Sequence, residues 1–180
     1  VRLENRPDAT LMLMPDWTTK APGSRSAGRY MGVKNVTVFP DNGASGLPAV
    51  FAIYVLMSAE TGQTLAVMDA TRLTVWRTAA ASALASRLLS RSDANSMLMV
   101  GAGALSTYLV RAHASVRPIR DVMIWNRTPD RATATVAQLA QHRIAATVVT
   151  DLEAAARRAD IISTATISSE PLIQGAWLKP

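Results

Sequence analysis

The second half of the 180-residue chain alternates short apolar runs with stretches of helical periodicity. An apolar run at 98–100 stops at Gly101, and Leu105, Leu109, Ala112 and Val116 then recur on one face of a helix predicted over 104–116. Further strands are predicted at 122–125, 145–149 and 160–166. Helices are predicted from Pro129 onward and, after the N-cap candidate Asp151, at 152–158. This order predicts α/β structure, with a Rossmann-type dinucleotide-binding domain over residues 93–180.

The first 92 residues follow the pattern of a sheet. Strands are predicted at 10–14, ended by Pro15, and at 30–39, 49–58 and 64–68, with a loop at 16–27 and turns at 40–46 and 60–63. The segment 49–58 is almost wholly apolar, which indicates a buried strand. Gly32 and Lys34 interrupt the strand 30–39, which implies a bulge or an inward-pointing polar residue.

A long helix is predicted over 71–91, where Trp76, Ala80, Leu84 and Leu88 form an apolar stripe and the alanines between them allow close packing. Residues 1–92 are therefore predicted to be an α+β domain that precedes the dinucleotide-binding domain, with the boundary near Ser92.

The turn after the strand at 98–100 carries Gly101, Gly103 and Ala104. Glycine lets the backbone approach a pyrophosphate, and the helix start offers N–H groups to its negative charge. Ser106 stands where a third glycine is usual, which weakens the pattern but is tolerated because serine is small. Two glycines can also simply form a tight turn; the surrounding strands and helices favour dinucleotide binding. Thr164 and Thr166 are expected at the same carboxyl edge of the sheet.

The end of the second strand indicates which dinucleotide is bound. A NAD site places an acidic residue there for the ribose 2′-hydroxyl, whereas this chain has Asn126, Arg127 and Thr128. An arginine with two small hydrogen-bonding side chains suits a 2′-phosphate, which a carboxylate would repel. NADP is therefore the expected cofactor, and NAD stays possible.

Composition excludes several other functions. The chain has no cysteine, so it forms no disulfide or thiolate metal site, and His113 and His142 lack neighbours at metal-ligand spacing. We expect both histidines to be structural or surface residues and no metal to bind. The net charge of +6 comes from scattered arginines without interleaved aromatics, which argues against nucleic acid. No apolar run approaches the length of a membrane span, and we expect a cytoplasmic protein.

Several motifs together resemble the ornithine cyclodeaminase and mu-crystallin family. They are Met-Pro at 14–15, Gly-Val-Lys at 32–34, Pro-Asp-Asn at 40–42, Gly-Leu-Pro at 46–48, Met-Asp-Ala at 68–70, Leu-Thr-Val-Trp-Arg-Thr-Ala-Ala-Ala-Ser at 73–82, Gly-Ala-Gly at 101–103 and Ala-Asp-Ile-Ile-Ser-Thr-Ala-Thr at 159–166. The combination of Arg-Thr-Ala-Ala-Ala-Ser with a following dinucleotide turn is the specific part. The resemblance implies a nicotinamide cofactor, a homodimer formed through the N-terminal sheet domain and a substrate site between the domains.

The resemblance also implies roles for individual residues. Arg2, Lys34 and Arg77 match the positions that surround the substrate carboxylate, and Thr78 matches one beside the cofactor phosphates. A bidentate arginine orients a carboxylate, and a lysine near a C=N bond can exchange a proton during hydride transfer. Lys34 is therefore the predicted catalytic residue. The alternatives are a surface ion pair for Arg2, an edge-protecting lysine at position 34 and a structural salt bridge for Arg77.

Two departures from the family pattern bear on the substrate, which we expect to be a small amino or imino acid. Met12 stands where ornithine-processing members carry a glutamate, and the family's catalytic aspartate would follow residue 180. The first departure, with the NADP-like loop, favours a reductase of cyclic imino acids of the pyrroline- or piperideine-2-carboxylate type. Ornithine cyclodeaminase and a non-catalytic NADP-binding protein are the alternatives. Since only four strands of the nucleotide domain are predicted, we expect the chain to be a piece of a longer protein and inactive alone.

Overall fold

The computed structural model describes residues 2–3, 6–18 and 29–179, and of residues 2, 3, 6 and 7 only the backbone. The chain divides into two compact units, Val1–Thr74 and Val75–Pro180. In the first unit, five antiparallel strands pair in chain order. They are β1 (Arg2–Leu3), β2 (Arg6–Trp17), β3 (Tyr30–Val38), β4 (Val50–Ser58) and β5 (Thr64–Asp69), with a 3₁₀ helix at Pro40–Ser45 between β3 and β4.

Strand β2 is longer than the sequence predicts, because Pro15 does not end it. Pro15 pairs opposite Val33 of β3, and the ladder continues to Trp17 opposite Met31. Proline lacks an N–H donor, so it is tolerated where one side of a strand is unpaired. The described part of β1 pairs only with Thr10 and Arg6, which leaves that side of β2 open at Pro15.

The prediction that residues 49–58 form a buried strand is wrong in burial, although β4 itself is confirmed. Ala52 is buried, whereas Phe51 and Ile53 on the other face are 44% and 48% exposed. Leu13 and Val67 are exposed on that same outer face. One face of the sheet is therefore covered and the other is exposed. Because residues on both faces are mostly apolar, the sequence alone does not distinguish the two faces.

Lys34 lies on the covered face of the sheet and is only 5% exposed. The register of β3 with both neighbours runs without a shift through Lys34. Of the two predicted explanations for this interruption, the inward-pointing polar residue is confirmed and the bulge is wrong.

Helix α1 (Thr71–Leu89) begins in the first unit and continues into the second. The second unit then contains β6 (Ser96–Val100), α2 (Ser106–Val116), β7 (Asp121–Trp125), α3 (Pro129–Gln141), β8 (Thr147–Val148), α4 (Leu152–Arg158), β9 (Ile161–Thr164) and a 3₁₀ turn at Gly175–Trp177. The strands are parallel, in the order β8-β7-β6-β9. This is the strand order of a Rossmann half, which confirms the predicted α/β class.

Helices cover both faces of this parallel sheet. Met97 and Met99 of β6 belong to a core with residues of α2 and α3, while Leu98 and Val100 belong to a second core with α4. Asp151 accepts a hydrogen bond from the Ala154 N–H, which confirms its predicted role as N-cap of α4. Among the described residues, no helix combines the length and apolarity that crossing a bilayer requires.

The apolar stripe predicted on α1 is not the side that packs. Trp76, Leu84 and Leu88 are 46%, 49% and 69% exposed, whereas Ala79 and Ala83 are buried. Ala79 belongs to the core that contains α2 and α3. Small residues let the helix approach closely, and this packing explains why the division between the units precedes the boundary predicted near Ser92. The assignment of residues 1–92 as a substrate and dimerisation domain stays a prediction.

Two further side chains, His113 and Arg117, form hydrogen bonds with α1. His113 is buried, with its Nε2 3.0 Å from the hydroxyl of Ser82 and its Nδ1 2.9 Å from that of Ser86. Burial lowers the pKa of His113 because the imidazolium would lose its hydration. The guanidinium of Arg117, just after α2, donates to the carbonyl oxygens of Ser86 and Arg87 at the end of α1. His113 is therefore a structural residue, as predicted.

Candidate functional site

The glycine turn connects β6 to α2 at the carboxyl edge of the parallel sheet. Gly101 has φ +108°, and a Cβ there would overlap the carbonyl oxygen of Ala165. At Gly103, by contrast, a Cβ would meet no protein atom within 4 Å. Gly101 is thus required by the fold itself, whereas the absence of a side chain at Gly103 leaves open space for a ligand.

The start of α2 offers unused hydrogen-bond donors. Within the described residues, the backbone N–H groups of Gly103, Ala104 and Leu105 make no hydrogen bond. Ser106, in the place of the third glycine, is buried and donates from its hydroxyl to the Gly103 carbonyl at 2.6 Å. The Ser106 side chain therefore stabilises the glycine turn. Free N–H groups at a helix start beside an open glycine are the donor set that a pyrophosphate requires, so the residues present fit a dinucleotide.

Asn126 connects the glycine turn to the loop after β7. Its side-chain Oδ1 accepts from the Ala102 N–H at 3.2 Å, and its Nδ2 donates to the Thr128 carbonyl at 2.9 Å. Both ends of the amide are thus used within the protein. These two bonds hold the loop around Arg127 against the glycine turn, and the predicted contact of Asn126 with the cofactor stays a prediction.

Arg127 and Thr128 are exposed at this edge, and no ion pair of Arg127 occurs within the described ranges. A guanidinium without an internal carboxylate partner is available to an external anion. The structure thus places Arg127 in the loop that Asn126 joins to the glycine turn, and its contact with a dinucleotide stays a prediction.

Two threonines complete this edge. Thr164 pairs opposite Val100 at the end of β9. The methyl group of Thr166 would lie 3.1 Å from a Cβ added to Gly101. Both residues are exposed. The structure therefore places Thr164 and Thr166 beside the glycine turn, at the switch point where β6 is flanked by β7 and β9 and where ligands bind in open α/β sheets.

Arg77 and Thr78 lie on α1, next to Trp76. The indole of Trp76 meets the ring of Tyr108 edge-on at 5.0 Å, and the guanidinium of Arg111 lies 5.1 Å from the indole centroid. Because Tyr108 and Arg111 belong to α2, the turn of α1 that carries Arg77 and Thr78 packs beside the first turns of the helix that follows the glycine turn. Sequence reasoning missed this aromatic contact.

The other predicted substrate residues belong to the first unit. Lys34 is buried on the covered sheet face, opposite Met14 of β2 and Tyr54 of β4. Arg2 lies in β1, and its side chain falls outside the described residues. Arg77 belongs to the second unit. The joint role of Arg2, Lys34 and Arg77 at one carboxylate therefore stays a prediction.

Metal chemistry finds no support in the described ranges, which contain no cluster of three or more His, Asp or Glu side chains able to hold an ion. Among the described carboxyl groups, Asp160 has the most strongly lowered pKa, and its partners are structural. Asp160 accepts from Lys179 Nζ at 2.9 Å and from the Ser96 hydroxyl at 2.8 Å, and these contacts, that with Lys179 first, hold the pKa of Asp160 well below its usual range. It lies just before β9, at the end of the sheet opposite the glycine turn.

The sequence model of the ornithine cyclodeaminase/mu-crystallin family matches residues 2–180 of the chain. The chain belongs to this family. The family resemblance inferred from the motifs is thereby confirmed over nearly the whole chain.

Within the family, the chain is 40% identical over 161 residues to a Delta(1)-pyrroline-2-carboxylate reductase of Paracoccus denitrificans, a match that covers 87% of this chain and 51% of that protein. The Thermococcus litoralis Delta(1)-pyrroline-2-carboxylate reductase, solved with NADH and L-proline, superposes with a TM-score of 0.87 at 27% identity. That superposition covers 99% of this chain and 53% of the other.

An archaeal alanine dehydrogenase, solved as a dimer with bound NAD, superposes with a TM-score of 0.77 at 29% identity over 92% of this chain and 54% of the other. The chain thus spans about half the length of the relatives it matches. Solved relatives of this fold bind nicotinamide dinucleotides, which agrees with the donor set around Gly103.

Proposed function

We propose that the protein containing this chain is an NAD(P)-dependent oxidoreductase that reduces the C=N bond of a cyclic imino acid of the pyrroline- or piperideine-2-carboxylate type. The observation that carries the proposal is the glycine turn before α2, in which the N–H groups of Gly103, Ala104 and Leu105 make no hydrogen bond within the described residues and a Cβ on Gly103 would meet only open space. The identity to pyrroline-2-carboxylate reductases supports the substrate class.

NADP is the cofactor we propose, although the two solved relatives hold NADH and NAD. The support is local: Asn126 holds the loop, and Arg127 presents an uncompensated positive charge next to Thr128. A 2′-phosphate carries about two negative charges that a guanidinium can bind bidentately. The 2′-hydroxyl of NAD gains less from the same contact.

A nicotinamide held at the glycine turn would supply the hydride that the carbon of the substrate's C=N bond accepts. In the proposed arrangement, Arg2 and Arg77 hold the substrate carboxylate, and Lys34 supplies or accepts a proton near the nitrogen. The position of Lys34 supports this role over an edge-protecting lysine, because Lys34 is buried and β3 lies between β2 and β4 rather than at an edge of the sheet. Thr78 is proposed to donate to the cofactor phosphates.

A homodimer is the proposed assembly. The outer face of the first sheet exposes Leu13, Phe51, Ile53 and Val67, and one solved relative is a dimer. Exposed apolar patches of this kind mark interaction surfaces. The incompleteness of both domains, expected from the sequence, stays a prediction.

The test is a spectrophotometric assay of NADPH oxidation by the full-length protein with a panel of cyclic imino acids. We expect turnover with a five- or six-membered cyclic imino acid and its loss in Lys34→Met. No turnover across the panel would overturn the proposal. Release of ammonia and proline from ornithine with only catalytic NAD would indicate the cyclodeaminase alternative, and tight NADPH binding without any reaction would indicate the non-catalytic one.

A further inference from the structure

A carboxylate and a phenol share the covered sheet face with Lys34. Side chains two residues apart on a strand project from the same face. Lys34 pairs opposite Tyr54, and Asp16 pairs opposite Gly32, one same-face position away from Lys34. Asp16, Lys34 and Tyr54 therefore project from one face in two adjacent rows of the sheet.

Because Gly32 has no side chain, the Tyr54 ring can extend across it from the position opposite Lys34 to Asp16. A Cβ on Gly32 would lie 2.8 Å from Cε1 of Tyr54 and would overlap the phenol oxygen. The ring thus occupies the space that any other residue at position 32 would fill. From there the Tyr54 hydroxyl donates to Asp16 Oδ1 at 2.7 Å.

The hydrogen bond fixes one oxygen of Asp16 and leaves the other available. Burial of the phenol and the negative charge of Asp16 raise the pKa of Tyr54, so the hydroxyl stays a donor at neutral pH. In the described part of the chain, Asp16 Oδ2 has no hydrogen-bond partner. Asp16 and Tyr54 line an open pocket of about 320 Å³, together with Trp17, Tyr30, Met31 and Leu56. A small cyclic ligand fits a space of this size.

We propose that Asp16 is a substrate-binding residue that pairs with the protonated ring nitrogen of the imino acid, and that Tyr54 positions it. The proposal rests on the proposed function. Hydride addition to the C=N carbon moves the π electron pair onto nitrogen, and a nitrogen that is already protonated becomes a neutral amine. A nearby carboxylate favours that protonated form.

The substrate is a zwitterion, so the two ends need opposite partners. Lys34, one same-face position from Asp16, supplies a cation for the carboxylate, and Asp16 supplies the anion for the ring nitrogen. Asp69 does not fit this role. It lies on the opposite face of the sheet and accepts from the Thr71 N–H at 2.8 Å.

The experiment compares two five-membered-ring carboxylates, one with a charged NH₂⁺ group in the ring and one with a CH₂ group in its place. Calorimetry with the full-length protein and NADP present measures binding of L-proline, which carries an ammonium, and of cyclopentanecarboxylate, which does not. We expect Asp16→Asn to weaken L-proline about tenfold and cyclopentanecarboxylate by less than about twofold, since one partly exposed charge-assisted contact is lost. Tyr54→Phe should shift L-proline in the same direction by a smaller factor. Asp8→Asn, an exposed carboxylate on the same strand, is the matched control and should change neither.

Two results would overturn the inference. Unchanged L-proline binding in Asp16→Asn would show that the carboxylate does not touch the nitrogen. Equal weakening of both ligands would show that Asp16 only supports the local structure. If the wild type nonetheless oxidises NADPH with cyclic imino acids in the same study, the proposed function stands. If the wild type binds neither ligand and reduces no imino acid, both proposals fall.

Discussion

The side-chain oxygen of Asn126 accepts a hydrogen bond from the Ala102 N–H at 3.2 Å, while its NH₂ group holds the Thr128 carbonyl. Asn126→Asp would keep the acceptor but lose the donor and would place a negative charge beside the Thr128 oxygen and the 2′-phosphate. We expect the dissociation constant of NADPH to rise at least about tenfold and that of NADH to change less, measured by fluorescence titration. Asn126→Leu removes both bonds without adding charge and should weaken the two cofactors equally. A uniform loss in Asn126→Asp as well would contradict a role in discrimination.

Arg127 tests the cofactor preference separately from the loop geometry. Arg127→Ala should weaken NADPH by roughly 1.5–3 kcal/mol and NADH much less, because one charge-assisted phosphate contact is lost. Titration of both cofactors measures the difference. Arg120→Ala is the control, since Arg120 is exposed just before β7 at the opposite edge of the sheet. Equal losses for NADPH and NADH in Arg127→Ala would show that the guanidinium faces elsewhere.

The two glycines of the turn should respond differently to the same substitution. Gly101→Ala places a Cβ against the Ala165 carbonyl at a positive φ, so we expect a loss of folding stability of about 2 kcal/mol or more. Gly103→Ala meets no protein atom and should leave the denaturation midpoint unchanged while weakening dinucleotide binding. Urea denaturation and cofactor titration on both variants check this. A stability loss in Gly103→Ala comparable to that in Gly101→Ala would refute the distinction.

The Arg117 side chain caps the carboxyl end of α1. Its guanidinium donates to the carbonyl oxygens of Ser86, Arg87, Ser90 and Arg91 over 2.8–3.0 Å. A cation there donates to the carbonyl oxygens of the last helical turn and complements the helix dipole, so Arg117→Ala should lower the free energy of unfolding by about 2–3 kcal/mol. Arg117→Lys should recover only part of this, because lysine lacks the planar fork. Arg120→Ala, again the exposed control, should stay within about 0.5 kcal/mol of the wild type in the same denaturation experiment.

The lowered pKa of the buried His113 predicts how the free energy of unfolding depends on pH. Burial lowers its folded-state pKa below the ordinary value of 6.5. As pH falls below about 6.5, His113 is protonated first in the unfolded chain, so the free energy of unfolding falls until the pH reaches the folded-state pKa. Above about pH 7, His113 is neutral in both states and the free energy of unfolding no longer depends on its titration. Denaturation at about pH 7.5 and about pH 5 should show this loss in the wild type and in the control His142→Gln, whose histidine is exposed. His113→Gln should reduce it, and an undiminished loss would refute the assignment.

The second unit could be predicted from sequence because its signals are local. The glycine turn, Pro129 at the start of α3 and the Asp151 cap each act within one turn of the chain, and the strand order follows from their succession. The strand ends were less accurate: β8 contains only Thr147–Val148, since edge strands have one partner to define them.

Long-range contacts could not be predicted in the same way. The bond between Asn126 and Ala102 joins residues 24 apart, and that between Tyr54 and Asp16 joins residues 38 apart. Both depend on register and side-chain trajectory rather than on composition. The packing side of α1 was also missed, because a hydrophobicity pattern gives weight to Trp76 and Leu84 while close helix packing selects the small Ala79 and Ala83.

The seating of the Tyr54 ring above Gly32 has an evolutionary consequence. Neither position can change alone: a side chain at position 32 would displace the ring, and a short side chain at position 54 would leave a gap above the glycine. The two positions should therefore covary among related sequences, with glycine at 32 retained wherever position 54 is aromatic. Lineages that lose the aromatic residue are free to vary position 32, and with it the reach of the strand toward Asp16.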